Sequence, residues 1–336
     1  MTVSIRGIGW PTRIGVLFVV ILAVAPPVIA YTEDPFILDL LTRLIVVAIA
    51  AVSLNLILGY GGLVSFGHAV YLGIGAYSMG IAAYYDINDG WIHLGLALGF
   101  SALFALITGA ISLRTRGVHF IMITMAFAQM LFFVFVSLEE YGGDDGLSIY
   151  SRSEFTNLFD LSNTRVFYYV CLISLLLAMY LKHRIVNSRF GMVLQGTKGN
   201  EQRMTALGFP TYRYQLIAYV IAGTICGYAG FLLGNFTYFI SPDMMDWTRS
   251  GELIFAVVLG GSATIFGPLF GATVFVLFEP VVSFLAPYLT IFFSEETAAA
   301  IAVYWPLYFG ALLVLVVLFV RGGISGLLSK ARAANG

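Results

Sequence analysis

Apolar runs of about 20 residues recur along nearly the whole sequence, each long enough to cross a hydrocarbon core of about 30 Å as an α-helix. Backbone amides and carbonyls cannot stay unpaired in lipid, so only helices or a closed barrel can span it. A barrel needs alternating segments of about 10 residues, and none is present. Composition agrees: of 336 residues, 60% are hydrophobic and 10% charged, with a mean hydropathy of +0.92, against roughly 25% charge in a soluble domain. The predicted fold is all-α and polytopic, with two related halves and some broken or re-entrant segments.

The expected spans are 14–31, 37–58, 62–85, 93–113, 117–138, 165–182, 214–238, 251–261, 267–286 and 300–320. The first follows Arg6 and Arg13 and contains "APPVIA", an order shared with cleaved signal peptides. Its length, and the apolar chain after it, favour a retained helix. Ten crossings put both termini on one side. Lys and Arg collect in cytoplasmic connections. Here Arg6, Arg13, Arg114, Arg116, the stretch from Lys182 to Arg213 and the tail with Arg321, Lys330 and Arg332 all fall on that side. Opposite them lie "TEDP" (32–35), "DINDG" (86–90), "EEYGGDDG" (139–146), "SPDMMD" (241–246) and "SEE" (294–296). Both termini are therefore expected in the cytoplasm, and a solvated loop is the default for the acidic segments.

Segment 251–261 is too short to span and is followed by "GGSATIFGP". A turn at membrane depth is tolerable only when shielded by protein or lining a cavity, so a broken helix is expected there. The chain divides into an N-terminal helix and outer loop (1–36), a first half (37–138), an outer loop (139–164), a linking helix (165–183), a cytoplasmic loop (184–213), a second half (214–320) and a tail (321–336).

Glycine marks two places. "GGLVSFG" (61–67) is echoed by "GGSATIFG" (260–267), and paired helix breaks in two halves of a chain are a frequent sign of a transport route. Gly61, Gly62, Gly260 and Gly261 are thus candidate hinge or path residues. Separately, Ala69, Gly73, Ala76 and Gly80 share one helical face, and Gly223, Gly227, Gly230 and Gly234 repeat that spacing. Such stripes let helix backbones approach closely in lipid.

The one sizeable basic connection contains "NEQRMTALGFP". Asn200 is a helix N-cap candidate, Glu201 suits the positive end, Gly208 suits C′, and Pro210 stops the helix. About two turns result, with Met204 and Leu207 on one side and Arg203 beside them. So short a helix is marginal alone and must pack on its own bundle or on a partner.

Five segments in this order resemble the permease subunit of branched-chain amino acid ABC transporters, the LivM-like half. They are "LNLILGYGGLVSFGHAVYLGIGAY" (54–77), "RTRGVHFIMITMAFAQM" (114–130), "GGDDGL" (142–147), "NSRFGMVLQGTKGNEQRMTALGFPTYRYQL" (187–216) and "ISPDMMDWTRSGELIFAVVLGGSATIFGPLFGA" (240–272). The resemblance implies an inner-membrane importer subunit. Its partners would be a homologous LivH-like permease, two ATP-binding subunits (LivG-like and LivF-like), a periplasmic solute-binding protein and membrane lipid. It also implies that the helix at Asn200–Gly208 docks on an ATPase. Where relatives commonly carry "R-E-N-E", this chain has "KGNE", with glycine at 199. Cargo in such a family ranges over branched-chain and other amino acids, urea, short amides and aromatic acids.

No phosphate-binding "G-x-x-x-x-G-K-[ST]" occurs, since the three lysines lie in "YLKHR", "GTKGN" and "LSKAR". ATP and Mg are then expected on partner subunits, and no cofactor in this chain. A net charge of −1 implies no nucleic-acid surface. No paired carboxylates, H-E-x-x-H or nucleophile with a base argue for an enzyme. An ion-driven carrier needs buried acid or histidine relays, whereas the carboxylates here sit mostly in outer loops.

Polar groups inside spans tend to face a cavity or a partner helix. Asn55, Ser65, His68 and Gln129 are the candidates for a path or hinge; no second ligand accompanies His68 at metal spacing. Arg43 and Glu252 are placed near the outer edge, Glu279 inside a span before Pro280, and Cys171 and Cys226 read as small hydrophobes.

Overall fold

A computed structural model describes residues 10–29, 35–155, 160–289, 303–320 and 322–327. Among these, the helices include α1 (Trp10–Ile29), α2 (Pro35–Asn55), α3 (Val70–Tyr84), α4 (Gly90–Ser112), α5 (Val118–Val136), α6 (Thr164–Val186), α7 (Arg189–Gly199), α8 (Glu201–Ala206), α9 (Thr211–Thr237), α10 (Trp247–Gly260), α11 (Gly267–Leu289) and α12 (Trp305–Phe319). A π-helical turn, Leu56–Tyr60, prolongs α2. Seven of the described helices are long and apolar enough to cross a membrane; α3 and α12 are apolar but shorter. The protein is a multi-pass, all-α membrane protein, and its described strands are the two-residue β1 (Leu147–Ser148) and β2 (Phe239–Ile240).

Polar side chains set the helix starts. Asp89 accepts the Trp91 and Ile92 amides at 2.7 and 3.3 Å to open α4, Asn163 opens α6 and Ser188 opens α7. Each satisfies amides that the first helical turn leaves unpaired. Arg6, Arg321, Lys330, Arg332, residues 32–34 and the acidic 294–296 lie outside the described residues.

Two expectations change. The third span is not one helix from residue 62, because residues 61–69 leave helical geometry and α3 begins only at Val70. The eighth begins earlier than residue 251, at Trp247, and its 14 residues rise about 21 Å. Contacts group the chain into two compact units, residues 45–254 and residues 1–44 with 255–336.

In the unit of residues 45–254, α3, α4 and α9 pack together around the fully buried rings of Tyr71 and Tyr219. The two small-residue stripes belong to neighbouring helices. An added Cβ on Gly75 would lie 1.8 Å from the Gly227 carbonyl oxygen, and one on Gly230 would lie 1.9 Å from that of Leu72. The acidic segments of this unit are folded rather than simply solvated. β1 pairs antiparallel with β2, and the Gly90 amide donates to the Glu154 carbonyl at 2.7 Å. Buried Arg152 donates to the Asn235 and Leu161 carbonyls at 3.1 and 2.7 Å, with its guanidinium over the Phe167 ring. Asp144 and Asp145 nonetheless stay exposed.

In the other unit, α1 lies on α11 through Phe18 and Phe270, ring centroids 6.3 Å apart. The end of α10 meets the start of α11 at backbone contact, since a Cβ on Gly271 would lie 1.7 Å from the Ala256 oxygen. Phe275, Phe278, Trp305 and Phe309 form an edge-to-face cluster that joins α12 to α11.

Candidate functional site

The segment 61–69 runs non-helically through the interior: Gly61, Ser65, Gly67, His68 and Ala69 are buried. A Cβ on Gly67 would lie 2.1 Å from the Thr124 carbonyl oxygen, so the segment passes directly against the backbone of α5. Irregular backbone at membrane depth needs protein partners, and distant residues supply them. The Ala69 amide donates to the Ser250 hydroxyl at 2.9 Å. The Cys226 thiol reaches the His68 carbonyl at 3.5 Å. Val70 and Tyr71 amides turn back to the Gly67 and His68 carbonyls, both at 3.3 Å.

His68 is fully buried. Its Nε2 lies 2.9 Å from the Ser53 hydroxyl, which itself donates to the Ala50 carbonyl at 2.6 Å. Ser53 has one proton to give, so it accepts from the ring, and the network assigns the ring proton to Nε2. Nδ1 is left with no partner. The ring also stacks edge-on to Tyr71, whose hydroxyl meets Thr108 at 3.0 Å.

Beneath this segment, at the end of the unit that carries the basic loops, lies a cavity of about 430 Å³. Its walls include Gly62, Arg116, Phe120, Lys198, Glu201 and Gln215. Helices α7 and α8 close one side. Asn200 caps α8, accepting the Arg203 amide at 2.9 Å. Gly208, at φ +89°, ends it with Gly208 N–H to Thr205 O and Phe209 N–H to Met204 O bonds of 2.9 and 3.1 Å, a Schellman closure. Glu201 accepts from Arg116 at 3.1 Å and from Thr211 at 3.3 Å. Arg116 is 72% exposed, and such surface pairs contribute about 0–1 kcal/mol, so this contact orients α8 more than it stabilises it.

Residues 36–321 match the family described as branched-chain amino acid transport system / permease component. The chain belongs to this family. Two curated relatives are similar to this permease component. The high-affinity branched-chain amino acid transport system permease protein LivM of Salmonella typhimurium is 27% identical over 262 residues, which covers 71% of this chain and 62% of the relative. The protein of the same name from Escherichia coli K12 is 26% identical with the same coverage. The match thus spans less than two thirds of either relative's length. No solved structure matches the chain.

Within this permease component the expected path or hinge residues separate. Gly61, Gly62, Ser65 and His68 lie on the unwound segment, and Asn55 is fully buried just before the π turn. Gln129 lies elsewhere, donating to Asp246 at 3.0 Å. Burial acts to raise the Asp246 carboxyl, but donors from Thr248, Gln129 and the Trp247 amide outweigh it and hold the group below its ordinary value. Glu252 pairs with Arg249 at 3.0 Å. Gly260 and Gly261 make a second break, in the other unit. Gly261 has φ +110°, and its carbonyl takes the Thr264 hydroxyl at 2.8 Å.

Of the stripe residues, Gly73 faces Met245 and Gly80 faces Ile240, while Ala69 and Ala76 are fully buried. Gly223 meets Ala105 and Tyr71, Gly227 meets Ser101, and Gly234 meets Met79. Two backbone contacts join α3 to α9: Gly75, which lies outside the stripe, meets Gly227, and the stripe residue Gly230 meets Leu72. Met204 and Leu207 part company: Met204 packs on Gly196 of α7, whereas Leu207 is 66% exposed. Sequence reading also missed Ser53, Ser250 and Lys198 as partners of the unwound segment. Only Lys198 carried a signal, since it stands two residues before the α8 cap; the serines come from sequence-distant helices.

Proposed function

We propose that this chain is the permease subunit of an ABC importer in the bacterial inner membrane. Together with a second, LivH-like permease it would form the path for a branched-chain or other hydrophobic amino acid, or a related small solute such as urea, a short amide or an aromatic acid. LivG-like and LivF-like ATPases would supply hydrolysis and a periplasmic binding protein would deliver cargo. The end with α7 and α8 is then cytoplasmic, as are both termini.

The observation that carries this reading is the α7–α8 element in a member of a permease family. α8 is capped at Asn200 and Gly208, braced through Glu201, and presents Leu207 and Arg203 outward. It borders the cavity under the unwound segment, so a push on α8 reaches the region where helix geometry is already broken. An ion-coupled carrier would need no such exposed element. Expression with the neighbouring subunits and affinity purification test the assignment: the ATPases should copurify in stoichiometric amount. A chain that never associates with an ATPase, yet supports uptake, would overturn it. Thermal-shift screening of solutes against the cognate binding protein would identify the cargo.

A further inference from the structure

The last turn of α2 ends in an unusual register. In a Schellman closure the C′ amide bonds back three residues and the C″ amide five, as at Gly208 and Phe209 of α8. At the end of α2, Gly62 takes the C′ place with φ +71°. Its amide bonds back four residues to Leu58 O at 3.2 Å, and the Leu63 amide bonds back six to Ile57 O at 2.9 Å. Both are one residue wider than in the Schellman closure: the first is the four-residue bond of the simpler αL closure, on a Leu58 carbonyl that also takes the Gly61 amide, and the second follows the π turn Leu56–Tyr60. The narrow register would give the Gly62 amide to the Gly59 carbonyl. In the wide register that carbonyl is taken instead by Lys198 Nζ at 2.7 Å, and the lysine stem lies over Gly62.

We propose that Lys198 is a positioning residue that holds this turn in its wide register. Displacement of α7 and α8 then withdraws the ammonium and lets the turn close to the narrow form. This inference rests on the importer reading above. The two registers give the turn two discrete arrangements, which a coupling mechanism requires, and π turns recur at functional sites. Exchanging one for the other shifts the point at which the chain leaves the helix, and so Leu63 and Val64 just after it, by about one residue of helix, roughly 1.5 Å and 100°. Lys198 is on α7, one residue before Gly199 and the cap of α8, so whatever moves α8 moves it. At the second break the corresponding closure needs no such donor, because the Gly261 amide turns back to Val257 and Val258 and its carbonyl takes Thr264.

Lys198→Met keeps the stem over Gly62 and removes the donor; Lys198→Arg restores a charged donor. In proteoliposomes of the complete importer, with radiolabelled leucine as the probe, uptake per ATP hydrolysed should fall by about tenfold or more in the methionine variant, the loss of one charged hydrogen bond. It should recover to within about threefold in the arginine variant. Unchanged uptake per ATP in Lys198→Met overturns the proposal. So does failure of arginine to rescue. A second measurement needs only the chain in membranes. Val64→Cys lines the cavity, while Cys171 and Cys226 are buried and silent. Its labelling by an impermeant thiol reagent should change by about threefold or more when Lys198→Met is added, given the shift of one residue. Equal labelling also overturns the proposal. If Lys198→Met does not accumulate, Lys198→Leu, which also lacks a donor, takes its place under the same two criteria. Absence of an ATPase from the purified complex would sink the importer reading alone, since the labelling result stands without it.

Discussion

Replacing Gly75 by alanine tests whether backbone contact between α3 and α9 holds the unit of residues 45–254 together. The added carbon would sit 1.8 Å from the Gly227 oxygen, and real Cβ contacts essentially never fall under 3.0 Å, so the two helices must part by at least 1.2 Å there. Gly227 is backbone, so no side chain can swing aside. A gap of about 1 Å forfeits a quarter to a half of each dispersion contact it opens, and overpacking strain costs about 1–3 kcal/mol. Together a loss of about 3 kcal/mol is expected, more than about a hundredfold in the folding equilibrium. The control is Gly99→Ala on α4, where nothing lies within 4 Å of the new carbon; there the helix should be unharmed, or gain up to about 1 kcal/mol from propensity. Reversible unfolding in mixed micelles, read by reaction of the buried Cys171 and Cys226 thiols, compares the two. Equal midpoints for Gly75→Ala and Gly99→Ala would refute the reasoning.

Three further outcomes follow from the same geometry. Leu207→Asp should abolish ATPase association while leaving the unfolding midpoint unchanged, because the side chain is 66% exposed, whereas Met204→Asp should also loosen α7 from α8, seen as faster proteolysis of the loop; identical behaviour would contradict the split. Ser250→Ala orphans the Ala69 amide and should cost about 1–3 kcal/mol in the same unfolding assay; a midpoint shared with wild type would show that another group satisfies the amide. Asp246 titrates below its ordinary value in the folded chain, so its contribution is present above the unfolded value of about 3.9 and is lost as pH falls through the folded one. Gln129→Leu removes one donor, so the stability gap between wild type and variant should narrow as pH is lowered below about 4; a gap that widens on acidification would have the wrong sign.

The fold class was legible in the sequence because lipid leaves the backbone few choices: long apolar runs must become helices, and helix starts follow local polar caps such as Asp89 and Asn200. The α8 boundaries were equally readable, since the cap, the C′ glycine and the following proline all act within a few residues. The glycine pair at 61–62 announced a break but not its form. Whether the chain stays helical after Gly62 depends on Ser250, Cys226 and Lys198, residues at sequence separations of 139 or more, and no local pattern encodes them. The stripes show the same limit: spacing identified small faces on α3 and α9, but which glycine meets which backbone was decided by how the helices pack, which set the stripe residue Gly230 against Leu72 and, outside the α3 stripe, Gly75 against Gly227. Local sequence thus determined where helices begin, end and can break, because those are short-range hydrogen-bond questions. Tertiary packing alone decided what satisfies the broken backbone and which residues brace it, because those partners are brought together only when the bundle closes.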